Sequence, residues 1–311
     1  MTRPITAGVD GSPQSLAAVD WAAREAAHRG LPLHLVHAWL TEPLYVPPAP
    51  DEEAARALLE RTAAGIAAAH PDVSLTTELI PQAASPGLID KAAEAELTVL
   101  GSRGHGPVVG FLLGSVGLPV IAHTERPVVL VRSDPQEREG NEAEDEAGDE
   151  AGDEVVVAVK DAGPAALPLL DFAFTTAAAR GSGVRAVRAW GTPSLFGADV
   201  PDSLEENAGA AKDLESAEDD VLSGVLAPWR QRFPGVPVTE HLRFGNAAEV
   251  LLSAAAFRAG LVVVGRRLRR PLLGTRIGPV AHAALHHARA PVAVVPYRDE
   301  EPPGPEGHEP G

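Results

Sequence analysis

A glycine-rich run follows directly after the apolar segment 97–100. Residues 101–115 read GSRGHGPVVGFLLGS. Gly101 and Gly104 allow backbone N–H groups to approach an anion closely, because glycine has no Cβ. Gly114 and Ser115 stand where a helix over 116–124 is predicted to begin, and a helix start offers free N–H groups and, here, a hydroxyl. The spacing therefore predicts a phosphate-binding loop.

A carboxylate stands at the end of the first predicted strand, which runs from Ile5 to Asp10. Ser12 is a good helix N-cap and Pro13 a good first helical residue, so a helix is predicted to begin there. In a parallel sheet, ligands collect beyond the carboxyl ends of the strands. Asp10 and the glycine loop are therefore expected to share a ligand site. Two plainer explanations stay open: Asp10 as a turn residue, and the glycines as a flexible connection.

Short aliphatic strands alternate with helices, and the same order occurs twice along the chain. Such alternation requires a parallel sheet covered by helices on both faces. The predicted fold class is therefore α/β, with two tandem doubly wound domains, each holding a five-stranded parallel sheet flanked by helices. Ser85 and Asn246 are predicted to cap the helices that follow them. Strands are predicted at 5–10, 33–39, 73–80, 97–100, 128–131, 155–159, 184–190, 236–242, 261–264 and 292–295, and helices at 13–26, 52–70, 85–96, 116–124, 165–180, 205–233, 247–259 and 281–288.

Length and charge indicate the same division. A chain of 311 residues fits about two domains, expected at 1–133 and 155–298. The segment 134–154 carries 11 acidic residues against Arg138 alone, and the tail 299–311 carries five acidic residues. Neither segment has aliphatic periodicity, so both are predicted to be disordered. The alternative is that they form a docking site for a basic partner.

Composition excludes several classes of protein. The chain has no cysteine, which excludes disulfides and thiolate metal sites. No apolar run approaches the roughly 20 residues that a membrane span requires. The N-terminus leads into a strand pattern without the apolar stretch of a signal peptide. We therefore expect a cytoplasmic protein with no membrane and no nucleic-acid partner.

Three motifs carry a family resemblance. The segments 9–12 (VDGS) and 36–38 (VHA), together with the pattern Gly-x2-Gly-x9-Gly-Ser over 101–115, resemble the ATP-binding branch of the universal stress protein family. The resemblance covers nearly the whole chain twice, as in the tandem form of that family. It implies an adenine-nucleotide alpha hydrolase-like fold and a stress-response role with ATP, accompanied by Mg²⁺, as ligand. It also implies that the last strands, 128–131 and 292–295, pair within the chain; homo-oligomers and an unidentified protein partner stay open.

The resemblance further implies contacts with ATP along the whole nucleotide. A helix start favours an anion through its dipole and its free N–H groups, which suits the phosphate end. The implied site residues are Asp10 at the adenine and ribose end, Ala38 and Leu100 against the base, Gly101, Arg103 and Gly104 around the ribose and phosphates, and Gly114, Ser115 and Val116 at the phosphate tail.

The second half departs from this pattern. Aligned on its closing helix and strand, it keeps a glycine, Gly265, at the start of the loop. Lys160 replaces the carboxylate, Leu268 the second glycine and Pro279 the serine. Leucine adds a side chain where backbone must approach phosphate, and proline deletes an N–H donor. The second half is therefore predicted not to bind ATP. Its basic residues attract another anion, attract acidic segments of the same chain, or are solvated loop charges: Lys160, Arg266, Arg267, Arg269 and Arg270.

Residues suited to catalysis are scarce. The sequence has neither a Gly-x-Ser-x-Gly elbow nor a Gly-x4-Gly-Lys-Ser/Thr loop. In the glycine loop only Arg103 and His105 are candidates, and His105 is better explained as a surface residue. His286 and His287 lack the acidic neighbours that would suggest a metal site. We predict an ATP-binding regulatory protein with no catalytic residues. A weak ATPase or phosphotransfer enzyme, or a structural pseudo-dimer without nucleotide, are the alternatives.

Overall fold

The computed structural model describes residues 2–39, 51–102, 115–132, 154–160, 162–163, 165–191, 208–256, 259–268 and 277–298. The predictions for the loop 103–114, the acidic segment 134–153 and the tail 299–311 lie outside these residues. Within the described ranges the strands are β1 (Ile5–Gly8), β2 (Leu33–Ala38), β3 (Leu75–Ile80), β4 (Leu97–Ser102), β5 (Val128–Arg132), β6 (Glu154–Ala158), β7 (Val184–Trp190), β8 (Val238–Phe244), β9 (Ala259–Arg267) and β10 (Val292–Tyr297). The helices are α1 (Pro13–Arg29), α2 (Glu52–Ala69), α3 (Ala84–Glu94), α4 (Gly117–His123), α5 (Ala166–Arg180), α6 (Ala208–Arg232), α7 (Ala247–Ala255) and α8 (Pro279–His287).

The ten strands form one sheet in the order β3-β2-β1-β4-β5-β10-β9-β6-β7-β8. Each half contributes five parallel strands, which confirms the predicted α/β class with two tandem units. The halves join through β5 and β10, which pair antiparallel with Val128 opposite Val294 and Leu130 opposite Val292. The predicted pairing of the last strands is therefore confirmed. Because this one pairing is antiparallel, the carboxyl ends of the strands in the two halves lie at opposite edges of the sheet.

Capping residues in the sequence mark the ends of several helices. Ser12 caps the start of α1, because its Oγ accepts a hydrogen bond from the Ser15 N–H at 3.2 Å. Gly30, whose φ of 61° suits glycine, caps the end of α1 after Arg29. Asn246 caps α7 as predicted. The predicted Ser85 cap is wrong: α3 begins at Ala84, so Ser85 already lies inside the helix and no side chain caps its start.

The sheet is buried on both faces, and charged side chains also bridge the two halves. On the face covered by α1 and α5, the Glu25 carboxylate binds Arg29 of its own helix and Arg180 of α5. On the other face, Arg132 donates to the Leu285 carbonyl at 2.9 Å and Arg266 donates to the Thr124 carbonyl. Charged side chains therefore link the halves on both faces of the paired strands, beside apolar clusters that also run through both halves. In the part of the chain that the structure describes, no helix is long and apolar enough to cross a bilayer.

Candidate functional site

A cleft lies at the carboxyl ends of β1 and β4, between the start of α1 and the start of α4. Six of the nine predicted site residues line it, and the structure therefore brings together the parts that the sequence placed far apart. The other three, Arg103, Gly104 and Gly114, lie outside the described residues. The cleft is lined by Gly8, Val9, Asp10, Ser12, Ser15, Val36, Ala38, Ala84, Leu88, Leu100, Gly101, Ser115, Val116 and Gly117.

Asp10 is exposed at the mouth of the cleft, and the turn that follows it fixes its carboxylate. Its Oδ1 accepts hydrogen bonds from the Ser12 N–H at 2.9 Å and from the Ser12 hydroxyl at 2.5 Å. The Asp10 N–H donates to the Ser15 Oγ at 3.3 Å. Asp10 thus does serve as the turn residue that the sequence left open. The same bonds orient a charged acceptor at the edge of the cleft.

The inner wall of the cleft is apolar. Val36, Leu88 and Leu100 are each at most 5% exposed and come from β2, α3 and β4. Leu100 covers Gly8 so closely that a Cβ on Gly8 would lie 2.8 Å from the Leu100 Cδ2 atom. Glycine at the end of β1 is therefore what lets the leucine side chain reach the cleft. The resulting surface can pack against a planar apolar group such as a nucleobase.

Gly101 is the penultimate residue of β4 and contacts the first turn of α1. A Cβ there would lie 2.5 Å from the Gln14 carbonyl carbon and 2.7 Å from the Ser15 nitrogen. Real Cβ atoms do not approach backbone this closely. The absence of a side chain at Gly101 therefore has a packing reason, the close approach of β4 to α1, besides the phosphate approach predicted from sequence.

The far side of the cleft is the turn before α4. Ser115 and Val116 form this turn, and the helix begins at Gly117, one residue later than predicted. The Ser85 hydroxyl from α3 donates to the Ser115 carbonyl at 3.4 Å. Backbone N–H groups at a helix start have no intrahelical acceptor. This turn therefore offers donors to an acceptor group in the cleft.

Hydrogen bonds fix which residues of the two halves correspond at the first strand. The Val9 N–H donates to the Val36 carbonyl at 2.8 Å, and the Val159 N–H donates to the Val187 carbonyl at 2.9 Å. Lys160 therefore occupies the position of Asp10, as the sequence alignment predicted.

The fourth strands correspond in the same way. The Thr98 N–H donates to the Pro127 carbonyl at 3.0 Å, and the Val262 N–H donates to the Pro291 carbonyl at 2.9 Å. Counting along each strand from Thr98 and Val262 places Gly265 at the position of Gly101. The sequence alignment of the loops is therefore correct at its start.

The second half also lacks the hydroxyls of the cleft. Helices α1 and α5 end in the same glycine cap, at Gly30 and Gly181. Counting back from these caps places Gly163 at the position of Ser12 and Ala166 at the position of Ser15. Pro279, the first residue of α8, occupies the position that Ser115 has in the first half.

Sequence reasoning missed several residues of the cleft. Ser12 was assigned only as a cap, and Ser15, which is 4% exposed, was not singled out. The three-residue spacing of Ser12 and Ser15 was a usable signal, since residues three apart lie on one face of a helix. Leu88 gave no signal, because a leucine on an amphipathic helix is indistinguishable from ordinary core.

Comparison with known proteins agrees with the fold and the two halves. The family model described as the Universal stress protein family matches residues 1–132 and 153–296. Universal stress protein Rv2005c of Mycobacterium tuberculosis is 31% identical over 301 residues, covering 93% of this chain and 96% of that protein. A crystal structure of a universal stress protein from Archaeoglobus fulgidus has a TM-score of 0.64 at 18% identity, covering 94% of this chain and 98% of that one. A universal stress protein solved in complex with cAMP is 26% identical over 42% of this chain and 98% of its own, with a TM-score of 0.35.

Proposed function

We propose that this chain, which belongs to the universal stress protein family, is a regulatory protein that binds one ATP in its N-terminal half. One observation carries the proposal. The cleft at the ends of β1 and β4 combines an oriented carboxylate, an apolar wall and a turn with backbone donors. These are the three kinds of surface that a nucleoside triphosphate requires for its ribose, its base and its phosphates.

The described residues suggest how the nucleotide would lie. The base would pack against Val36, Leu88 and Leu100, and the Asp10 carboxylate would accept hydrogen bonds from the ribose or the base. The phosphates would extend toward the turn at Ser115, where the predicted contacts of Arg103, Gly104 and Gly114 would add to the backbone donors. Asp10 is the one carboxylate among the described residues that line the cleft. Mg²⁺ would therefore be held chiefly by the phosphates and would neutralise their charge.

The chemistry of the second half supports the proposal that only the N-terminal half binds ATP. Lys160 places a cation at the position of the Asp10 carboxylate. Gly163, Ala166 and Pro279 occupy the positions of the three hydroxyls, and the loop carries Leu268 in place of a glycine. The second half thus keeps the strands and helices of a nucleotide domain without the donors and acceptors of the first cleft.

We propose regulation rather than turnover as the role of the site. The described cleft supplies groups that bind and orient, and bound nucleotide would contact the predicted phosphate loop and so alter what the protein associates with. A phosphate-release assay checks this part of the proposal. The expected result is no saturable ATP turnover; turnover that Asp10→Ala abolishes would contradict it.

The binding proposal is tested by exchanging residues between the halves. Gly104→Leu with Ser115→Pro copies the second half into the first, and Leu268→Gly with Pro279→Ser is the matched reverse exchange. With MgATP and protein stripped of nucleotide, we expect the first variant to lose at least about tenfold in affinity, equivalent to about 1.4 kcal/mol. The reverse exchange should keep wild-type affinity. Circular dichroism establishes that both variants are folded. Unchanged affinity in the first variant would contradict the proposed site.

A further inference from the structure

His37 links the end of β2 to the end of β1. Its Nδ1 lies 2.6 Å from the Val9 carbonyl oxygen. A carbonyl oxygen can only accept, so Nδ1 carries the proton and donates this hydrogen bond. Val9 lines the cleft, and Asp10 is the next residue. The imidazole therefore donates to the peptide immediately before Asp10, the residue whose carboxylate is proposed to bind the nucleotide.

The peptide that joins Val9 to Asp10 is held at both of its polar atoms. Its oxygen accepts from the His37 imidazole, and its N–H donates to the Ser15 Oγ at 3.3 Å. The preceding peptide is also fixed, because the Val9 N–H donates to the Val36 carbonyl at 2.8 Å. The direction in which Asp10 leaves β1 is thus set by three hydrogen bonds, and only one of them comes from sheet pairing.

The second half makes a similar link with a different side chain. Arg188 occupies the position of His37, and its Nη1 donates to the carbonyl of Lys160, the residue at the position of Asp10. Glu218 of α6 accepts from the Arg188 Nε at 2.7 Å and holds the guanidinium in place. A donor from this position therefore reaches the same loop in both halves, although imidazole and guanidinium differ in size and charge.

We infer that His37 is a positioning residue of the nucleotide site: it fixes the Val9–Asp10 peptide and through it the Asp10 carboxylate. The inference rests on the proposed function, since it concerns the affinity of the same cleft. His37 does not contact the ligand in this account. Its contribution is one hydrogen-bond donor, so any side chain that places an N–H at the same point should replace it.

Substitutions at His37 test the inference through MgATP affinity, measured by calorimetry on nucleotide-free protein. His37→Phe keeps a ring and removes the donor, and we expect affinity to fall about fivefold, as the loss of one net hydrogen bond predicts. His37→Asn places an amide N–H where Nδ1 stands, and we expect affinity within about twofold of wild type.

His123→Phe is the matched control, because the His123 Nδ1 makes the same kind of bond to the Pro119 carbonyl at 2.8 Å. The control should leave affinity unchanged.

The outcomes separate this inference from the proposed function. If the wild-type chain does not bind MgATP, the proposed function fails and the inference fails with it. If the wild type binds and His37→Phe stays within twofold, the positioning role alone is overturned. The same holds if His37→Asn is as weak as His37→Phe, because then the donor is not what matters.

Discussion

Replacing Glu25 by glutamine should destabilise the chain strongly. The Glu25 side chain is 1% exposed at the junction of the two halves and faces two guanidiniums that are nearly as buried, with Arg29 at 7% and Arg180 at 5%. Its Oε1 accepts from the Arg29 Nε at 2.5 Å, and its Oε2 accepts from the Arg180 Nε at 2.9 Å. One carboxylate thus serves two buried cations.

The magnitude follows from what the substitution leaves behind. Glutamine keeps the size of the side chain but removes the negative charge, so both arginines stay buried and lose the charge of Glu25. Removing one partner of a buried ion pair costs about 3–5 kcal/mol. We therefore expect Glu25→Gln to lower the free energy of unfolding by at least about 3 kcal/mol, which corresponds to roughly 6–12 °C in melting temperature for a chain of this size.

Urea denaturation measures this effect. Trp21 lies under the Arg180 guanidinium at 5.2 Å and is one of four tryptophans, so tryptophan fluorescence includes a signal from the junction, while circular dichroism reports on the whole fold. Asp20→Asn is the matched control on the same helix, because the Asp20–Arg24 pair is about half exposed, and exposed pairs contribute about 0–1 kcal/mol. A Glu25→Gln variant as stable as Asp20→Asn would refute the account of the junction.

Two further predictions concern a close backbone contact and an ionisable group. Gly101→Ala should destabilise the chain by about 1–3 kcal/mol, because the new Cβ would overlap the Gln14 backbone and force α1 to shift; unchanged stability in urea would contradict that packing. Burial, followed by the charge of Arg243, lowers the pKa of His241 in the folded chain. The unfolded chain therefore binds the proton first as the pH falls, and the stability present above about pH 6.5 is lost below it. His241→Gln should flatten the acid side of the melting-temperature profile between pH 8 and 5, and parallel profiles for variant and wild type would contradict this.

Much of the fold was predictable from local patterns. Alternating aliphatic strands and helices repeated twice predict two parallel five-stranded units. The pairing of the last strands, 128–131 and 292–295, which joins the units into one sheet, was implied by the family resemblance and not by a local pattern. Element ends were less predictable. The cap of α3 was predicted at Ser85, about two residues too late. That prediction took Pro86 as the first helical residue, but proline is tolerated throughout the first helical turn, because the N–H groups there have no intrahelical acceptor.

Part of the lining of the candidate cleft was predictable from local motifs. Asp10 and Ser115 were identified from sequence because each accompanies glycines at a strand or helix end. The role of Glu25 could not be predicted, since a glutamate on an amphipathic helix normally faces water and only the packing of α1 on α5 buries it. The packing reason for Gly101 was likewise invisible, because it depends on an α1 backbone that only the folded sheet brings near.

Calorimetric titration of the intact, nucleotide-free chain with MgATP tests the central claim most directly. The account predicts saturable binding with one ATP per chain, in the cleft of the first half. Two ATP per chain would contradict the assignment of Lys160, Leu268 and Pro279 as residues that abolish the second site. Absence of binding, with no thermal stabilisation by MgATP, would contradict the nucleotide site itself.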